Sequence, residues 1–171
     1  MRRIVPAVLC GTLLLFLCAC GKGGAPSTPP AFPERFSADA AVCMGEYTIL
    51  SHIDYAPDDM ELTFQSPEAL KKLTLKCAGG TCSVAYDGLS LNLDIGKLPQ
   101  AAFARVIDQA MIQCLSGAGV TTEFTGIEWI YKGETGLGAF ELAQDPDTGA
   151  LLRISCPDDE LTIDFSNIQA E

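Results

Sequence analysis

Leu73-Thr74-Leu75-Lys76-Cys77-Ala78-Gly79-Gly80-Thr81-Cys82-Ser83-Val84-Ala85-Tyr86-Asp87-Gly88-Leu89-Ser90-Leu91-Asn92-Leu93-Asp94-Ile95 alternates apolar and polar residues through two interruptions, Gly79-Gly80 and Asp87-Gly88. A period of two sends successive side chains to opposite faces of a strand, and Gly-Gly and Asp-Gly are favoured two-residue hairpin turns. Counting outward from the first turn sets Ala78 opposite Thr81 and Cys77 opposite Cys82. Leu73, Leu75, Cys77, Cys82, Val84 and Tyr86 then share one face, and Leu89, Leu91, Leu93 and Ile95 continue the cleanest alternation in the chain. The stretch reads as antiparallel strands, wet on one face and apolar on the other.

The same period extends to both sides. Tyr47, Ile49, Ile53 and Tyr55 lead through the turn Ala56-Pro57-Asp58-Asp59 to Met60, Leu62 and Phe64. Later, Ile127, Trp129 and Tyr131 lead to Phe140 and Leu142, then across Asp145-Pro146-Asp147-Thr148-Gly149 to Leu152, Ile154 and Cys156, with Leu161, Ile163 and Phe165 last. About eight to ten strands are expected in this meander. Between Pro99 and Gly117 the rule breaks: Phe103, Val106, Ile107, Ala110, Met111 and Cys114 recur at helical intervals, and Gly117 is a natural stop. Ser66-Pro67-Glu68-Ala69-Leu70 suggests a shorter helical turn, with Ser66 as cap and Pro67 at the first helical position.

One helix cannot cover so many strands, so the sheet should curl around it. The expected fold is mainly β (α+β), a curled antiparallel sheet or half-barrel packed on one amphipathic helix. Leu89, Leu91, Leu93, Phe103, Ile107, Met111, Trp129 and Phe140 would line the groove between sheet and helix, or fill it as plain core. Trp129 would suit a pocket rim, having a ring with a polar N–H.

Residues 1–19 carry Arg2 and Arg3, then an apolar run from Val8 to Leu17 too short to span a bilayer. Leu17-Cys18-Ala19-Cys20 closes it and resembles the box that ends bacterial lipoprotein signals. That resemblance implies a diacylglyceryl group on the Cys20 thiol and cleavage after Ala19. Residues 20–35 are rich in Gly and Pro without apolar periodicity and read as a tether, leaving 36–171 as one domain. The expected address is the extracytoplasmic face of a membrane, held by lipid. Gly21 is not the aspartate that signals inner-membrane retention, so a two-membrane cell would carry the protein on its outer membrane.

With 11 basic and 22 acidic side chains the formal charge is −11, and loss of Arg2 and Arg3 makes it −13. Such a surface repels phosphate backbones and anionic headgroups, which argues against nucleic acid and leaves membrane attachment to the lipid. Of eight cysteines, Cys10 and Cys18 leave with the signal and Cys20 is lipidated, so Cys43, Cys77, Cys82, Cys114 and Cys156 remain. An odd number leaves at least one free thiol. Cys77 and Cys82 are the candidate disulfide, facing each other at a non-hydrogen-bonded position; two reduced core cysteines are the other reading. A metal site finds no histidine and no second close cysteine pair to complete it.

Val84-Ala85-Tyr86-Asp87-Gly88-Leu89-Ser90-Leu91, followed by Lys97-Leu98-Pro99 ahead of the helix, resembles a strand, Asp-Gly turn and strand element of the LolA-like superfamily of half-barrel carriers and lipoproteins. In layout the likeness runs over roughly residues 36–166. It implies a concave apolar face that holds acyl chains or a partner segment, with no cofactor and no chemistry. The carriers shuttle, whereas an anchor on Cys20 implies holding or presenting.

A search for chemistry finds little. His52 is the only histidine and falls on a polar strand face. No Gly-x-Ser-x-Gly elbow, Ser-x-x-Lys pair, phosphate loop or Cys-His dyad occurs in the domain. Asp54, Asp58, Asp59 and Glu61 look like a soluble hairpin tip. Asp145-Pro146-Asp147-Thr148-Gly149 opens like a calcium loop, but Ala150 stands where glycine is required and Cys156 where a bidentate glutamate is required. A turn with Gly149 at positive φ is the simpler expectation. The reading is therefore a non-enzymatic anchored protein that binds a lipid or apolar ligand, or, with a fully packed core, an envelope protein partner.

Overall fold

Alternation becomes eleven antiparallel strands in the computed structural model, which describes residues 28–78, 81–93, 102–136 and 138–170. They are β1 (Phe36–Met44), β2 (Tyr47–Ala56), β3 (Asp59–Ser66), β4 (Leu73–Ala78), β5 (Thr81–Tyr86) and β6 (Leu89–Leu93), then, after helix α1 (Ala102–Ser116), β7 (Thr121–Phe124), β8 (Trp129–Thr135), β9 (Gly138–Gln144), β10 (Leu151–Cys156) and β11 (Leu161–Ala170). Cys20, the Gly79-Gly80 turn and Ile95 lie outside the described residues, as does the side chain of Leu93.

The strands form one sheet in the order β6-β5-β4-β3-β2-β1-β11-β10-β9-β8-β7. Two meanders are sewn together where β11 returns to β1, with Val42 opposite Ile163 and Ala40 opposite Phe165. The helix is inserted between the two edge strands and so has to pass over the apolar face. Phe103, Ala104, Val106, Ile107, Ala110, Met111 and Cys114 are its buried side, merging with the sheet residues into one core. Gly117 ends it at φ 67°, donating its N–H to the Gln113 carbonyl at 2.8 Å.

Fifteen residues of helix measure about 22 Å, whereas eleven strands laid flat would span about 48 Å. Cover therefore runs out. One row of apolar side chains crosses six strands: Ala38, Ile53, Leu62, Leu75, Val84, Leu91. The first three are 0 % exposed and Leu75 is 1 %; Val84 is half-buried and Leu91 is 61 % exposed.

Two local expectations are corrected. Ile127 is not a strand residue but sits in the turn before β8, 78 % exposed, because Gly126 at φ 102° breaks the extended backbone. The turn at Glu68–Leu70 is a 3-10 helix, with Pro67 in the cap position and no side-chain cap bond from Ser66; the Ser66–Pro67 peptide is cis. The helix expected between Pro99 and Gly117 is described over Ala102–Ser116.

Cys77 and Cys82 are joined as a disulfide with Cα atoms 4.1 Å apart, while Cys43, Cys114 and Cys156 are free. Because this bridge closes only a short loop, its reduction should lower the unfolding free energy by about 2 kcal/mol, read as a lower urea midpoint at an unchanged slope.

Candidate functional site

The residues expected to line one groove divide into two groups. Phe103, Ile107 and Met111 are 0 % exposed, Phe140 is 1 % and Trp129 is 7 %, whereas Leu89 is 76 % and Leu91 61 % exposed. Phe103, Ile107 and Met111 thus fill the space between helix and sheet as core, while Leu89 and Leu91 stand clear of it. Phe103 meets Phe64 edge-on at 6.3 Å. Phe140 occupies the space left by Gly133, where a Cβ would stand 2.6 Å from its ring. Gln113 Nε2 donates to the Glu134 carbonyl at 2.7 Å and Gln109 Oε1 accepts from the Gly136 N–H at 3.2 Å, tying the helix to the end of β8.

What stays exposed is the helix-bearing face of the sheet at β5 and β6. Tyr86 stands opposite Leu89 and Val84 opposite Leu91, beside half-buried Leu73. Tyr86 is 47 % exposed, so three large apolar side chains lie uncovered together. Asp87 at φ 50° and Gly88 at φ 84° make the primed turn that a two-residue hairpin requires.

At the opposite end of the same face the N-terminal stretch is docked. Phe32 packs on Tyr131, ring centroids 4.6 Å apart. Fully buried Gln144 accepts from the Tyr131 hydroxyl at 2.7 Å and donates to the carbonyls of Gly149 at 3.0 Å and Pro30 at 3.2 Å. Gly149, at φ 75°, lets this stretch approach: a Cβ there would stand 3.1 Å from the Ala31 carbonyl oxygen. Composition alone placed the tether up to residue 35, yet Pro30 and Phe32 already belong to the packed structure. Sequence reasoning missed Gln144, whose only signal was a glutamine on the apolar side of a strand.

Ser51 Oγ, Tyr55 OH and Trp129 Nε1 are buried with no hydrogen-bond partner among the described residues. Burial raises the Asp108 carboxyl above its usual range, with Asp58 adding to the effect. Trp129 is packed against Phe124 at 5.1 Å and does not stand at an open rim.

The opposite face carries most of the charged groups of the sheet. His52 Nδ1 and Asp39 Oδ1 are 2.9 Å apart, and Asn167 Nδ2 donates to Asp39 Oδ2 at 2.8 Å. These bonds, Asn167 first and His52 second, hold the Asp39 carboxyl below the usual range. The other histidine nitrogen faces the Asp54 carboxylate at 3.7 Å, an arrangement that ties strands together and presents no nucleophile. A nearby cavity of about 190 Å³ is lined mainly by charged groups, among them Arg35, Asp54, Asp59, Glu61 and Lys76. In the Asp145 turn the Oδ1 atom accepts from the N–H groups of Asp147 and Thr148 and from the Thr148 hydroxyl, so that oxygen is spent on holding the turn.

Burial pushes the Cys114 thiol from 9.0 up to about 12 and the Cys156 thiol up to about 11, the latter helped by Asp159 and Asp158. Both should resist iodoacetamide in the native protein at neutral pH and react in urea, which mass spectrometry of labelled peptides would show. Because the unfolded chain loses these protons first, their contribution to stability should fall as pH rises from 9 towards 11 and 12.

No family model matches the chain, and no curated protein does. Among solved structures it is similar to an uncharacterized conserved protein from Thermus thermophilus, 10 % identical over 81 % of this chain and 80 % of that one, with a TM-score of 0.48. It is likewise similar to a LolA superfamily protein from Nitrosomonas europaea, 10 % identical over 82 % of this chain and 88 % of the other, with a TM-score of 0.47.

Proposed function

We propose that this chain is an extracytoplasmic protein fixed to a membrane by lipid on Cys20, and that it binds an acyl chain or similarly apolar ligand without catalysis. The observation that supports this is the apolar row that outruns its helix, from Leu75 at 1 % exposure to Leu91 at 61 %. The ligand would lie on Leu73, Val84, Tyr86, Leu89 and Leu91, away from the filled contact between helix and sheet. Covering two leucines and a tyrosine would contribute on the order of 5 kcal/mol, set against the ligand's own loss of freedom.

Native mass spectrometry of residues 23–171 from a bacterial host, before and after incubation with phospholipid vesicles, tests this. One lipid per chain is expected, and Leu89→Gln or Tyr86→Ser should remove it while the circular dichroism melt stays close to the parent's. A bare chain under both conditions would overturn the reading. It would favour the second one, a protein partner, for which the filled core and the open edge at β6 speak.

A further inference from the structure

We infer that the cavity of about 190 Å³ beside the β2–β3 turn is a binding site for a small zwitterion, a molecule carrying an ammonium and an anionic group a few bonds apart. This inference is independent of the apolar corner at β5 and β6 and of the anchor. Strand register builds the cavity's wall: Asp54 stands opposite Glu61 and Glu61 opposite Lys76, with Asp59 two residues before Glu61. Their chain neighbours Tyr55, Met60 and Cys77 are buried, so alternation turns these four side chains away from the helix. Arg35, just ahead of β1, completes the charged lining.

Lys76 Nζ lies 3.6 Å from Glu61 Oε2 and 3.9 Å from Asp59 Oδ1, so these three charges are largely spent on one another. Arg35 is different. Of the seven described lysines and arginines, five pair with a carboxylate and Arg35 does not. Yet Asp54 is close by, since Phe36 after Arg35 stands opposite Tyr55 after Asp54. Among the described residues Asp54 has only His52 Nε2 within ion-pair range, at 3.7 Å. The cavity thus holds a guanidinium and a carboxylate that are not joined to each other.

Charge selects the ligand. A simple anion on Arg35 would face three carboxylates, and a simple cation on Asp54 would meet Arg35 as a like charge. A zwitterion satisfies both, its anionic group taken by the guanidinium fork and its ammonium by Asp54. Volume then limits size. The cavity has the room of about six water molecules, which suits a free amino acid such as alanine or the charged end of a phosphoethanolamine headgroup. Asp54, Asp59, Glu61 and Lys76 are 43–65 % exposed and stay hydrated. Binding therefore belongs in the range of about 1–10 mM.

Amide NMR shifts of the full chain in a non-ionic detergent read this, with four probes at equal ionic strength: alanine, glycerophosphoethanolamine, acetate and methylamine. At least one of the first two should give saturable shifts confined to Arg35, Asp54, Asp59, Glu61, Lys76 and their chain neighbours. Alanine alone would name a free amino acid as the source, and glycerophosphoethanolamine alone a lipid headgroup. Acetate and methylamine should bind about tenfold more weakly, since each meets one charge of the pair. Arg35→Gln should weaken the zwitterion about tenfold without weakening methylamine, and Asp54→Asn should weaken it without weakening acetate. Both variants change exposed side chains and should keep the parent's circular dichroism melt. Acetate or methylamine binding as well as the zwitterions, or no saturable shift at these residues with either zwitterion, would overturn the inference whatever the outcome of lipid binding.

Discussion

A chain carrying Phe140→Asp should fail to fold at room temperature, whereas Leu91→Asp should melt within a few degrees of the parent. Both positions lie on the apolar side of their strands, so alternation alone predicts the same fate for each. Phe140 is 1 % exposed and its ring fills the space above Gly133, beneath Gln113 of the helix. Removing such a ring costs about 3–5 kcal/mol, and an unpaired carboxylate in its place adds several more. A domain of this size has about 5–15 kcal/mol in all. Leu91, 61 % exposed, leaves its replacement in water. Circular dichroism and soluble yield would decide it. A folded Phe140→Asp protein would mean that the contact between helix and sheet opens far enough to hydrate a charge, and that the groove is a groove after all. The milder Gly133→Ala should cost about 1–3 kcal/mol by pushing the same ring off its seat.

What could be read in the sequence was governed by how strongly each segment declared its period. β2 to β6 and β8 to β11 were legible because large apolar residues alternate with polar ones. β1 was not separately visible: its inward residues include Ala38 and Ala40, and Ala41 and Cys43 stand on the other face, so small residues on both faces blur the contrast. β7 offers only Thr121-Thr122-Glu123-Phe124, an edge strand with three exposed residues and no apolar stripe to find. The helix face was clear, but its depth was not. Spacing shows that Phe103, Ile107 and Met111 share a side, and only the packed structure shows that this side is sealed while Leu89 and Leu91 escape cover. The row from Ala38 to Leu91 has no counterpart in linear sequence, because strand register assembles it.

Replacing Gln144 by leucine should lower stability by about 2–4 kcal/mol and release the N-terminal stretch from the domain. The side chain is fully buried, with three partners: the Tyr131 hydroxyl and the carbonyls of Gly149 and Pro30. Leucine has a similar volume, so packing is largely kept while up to three polar groups lose their bonds. An orphaned buried group costs about 1–3 kcal/mol, whereas removing both members of a pair is nearly neutral. Adding Tyr131→Phe should therefore recover part of the loss, a non-additivity that a double-mutant cycle in urea would measure. Hydrogen exchange supplies the second readout. In the parent, Phe32 on Tyr131 and the Pro30 carbonyl on Gln144 should slow exchange at residues 31–35; in Gln144→Leu those amides should exchange as a free chain does. The consequence for an anchored protein is distance. With Pro30 docked, ten positions of sequence separate it from Cys20; freed back to Phe36, sixteen do. With the anchor proposed on Cys20, Gln144 would set how closely the helix-bearing face is held to the membrane. Free-chain exchange at residues 31–35 already in the parent would instead return the tether to the full length that its composition suggests, and parental exchange in Gln144→Leu would leave Phe32 on Tyr131 as the contact that holds the stretch.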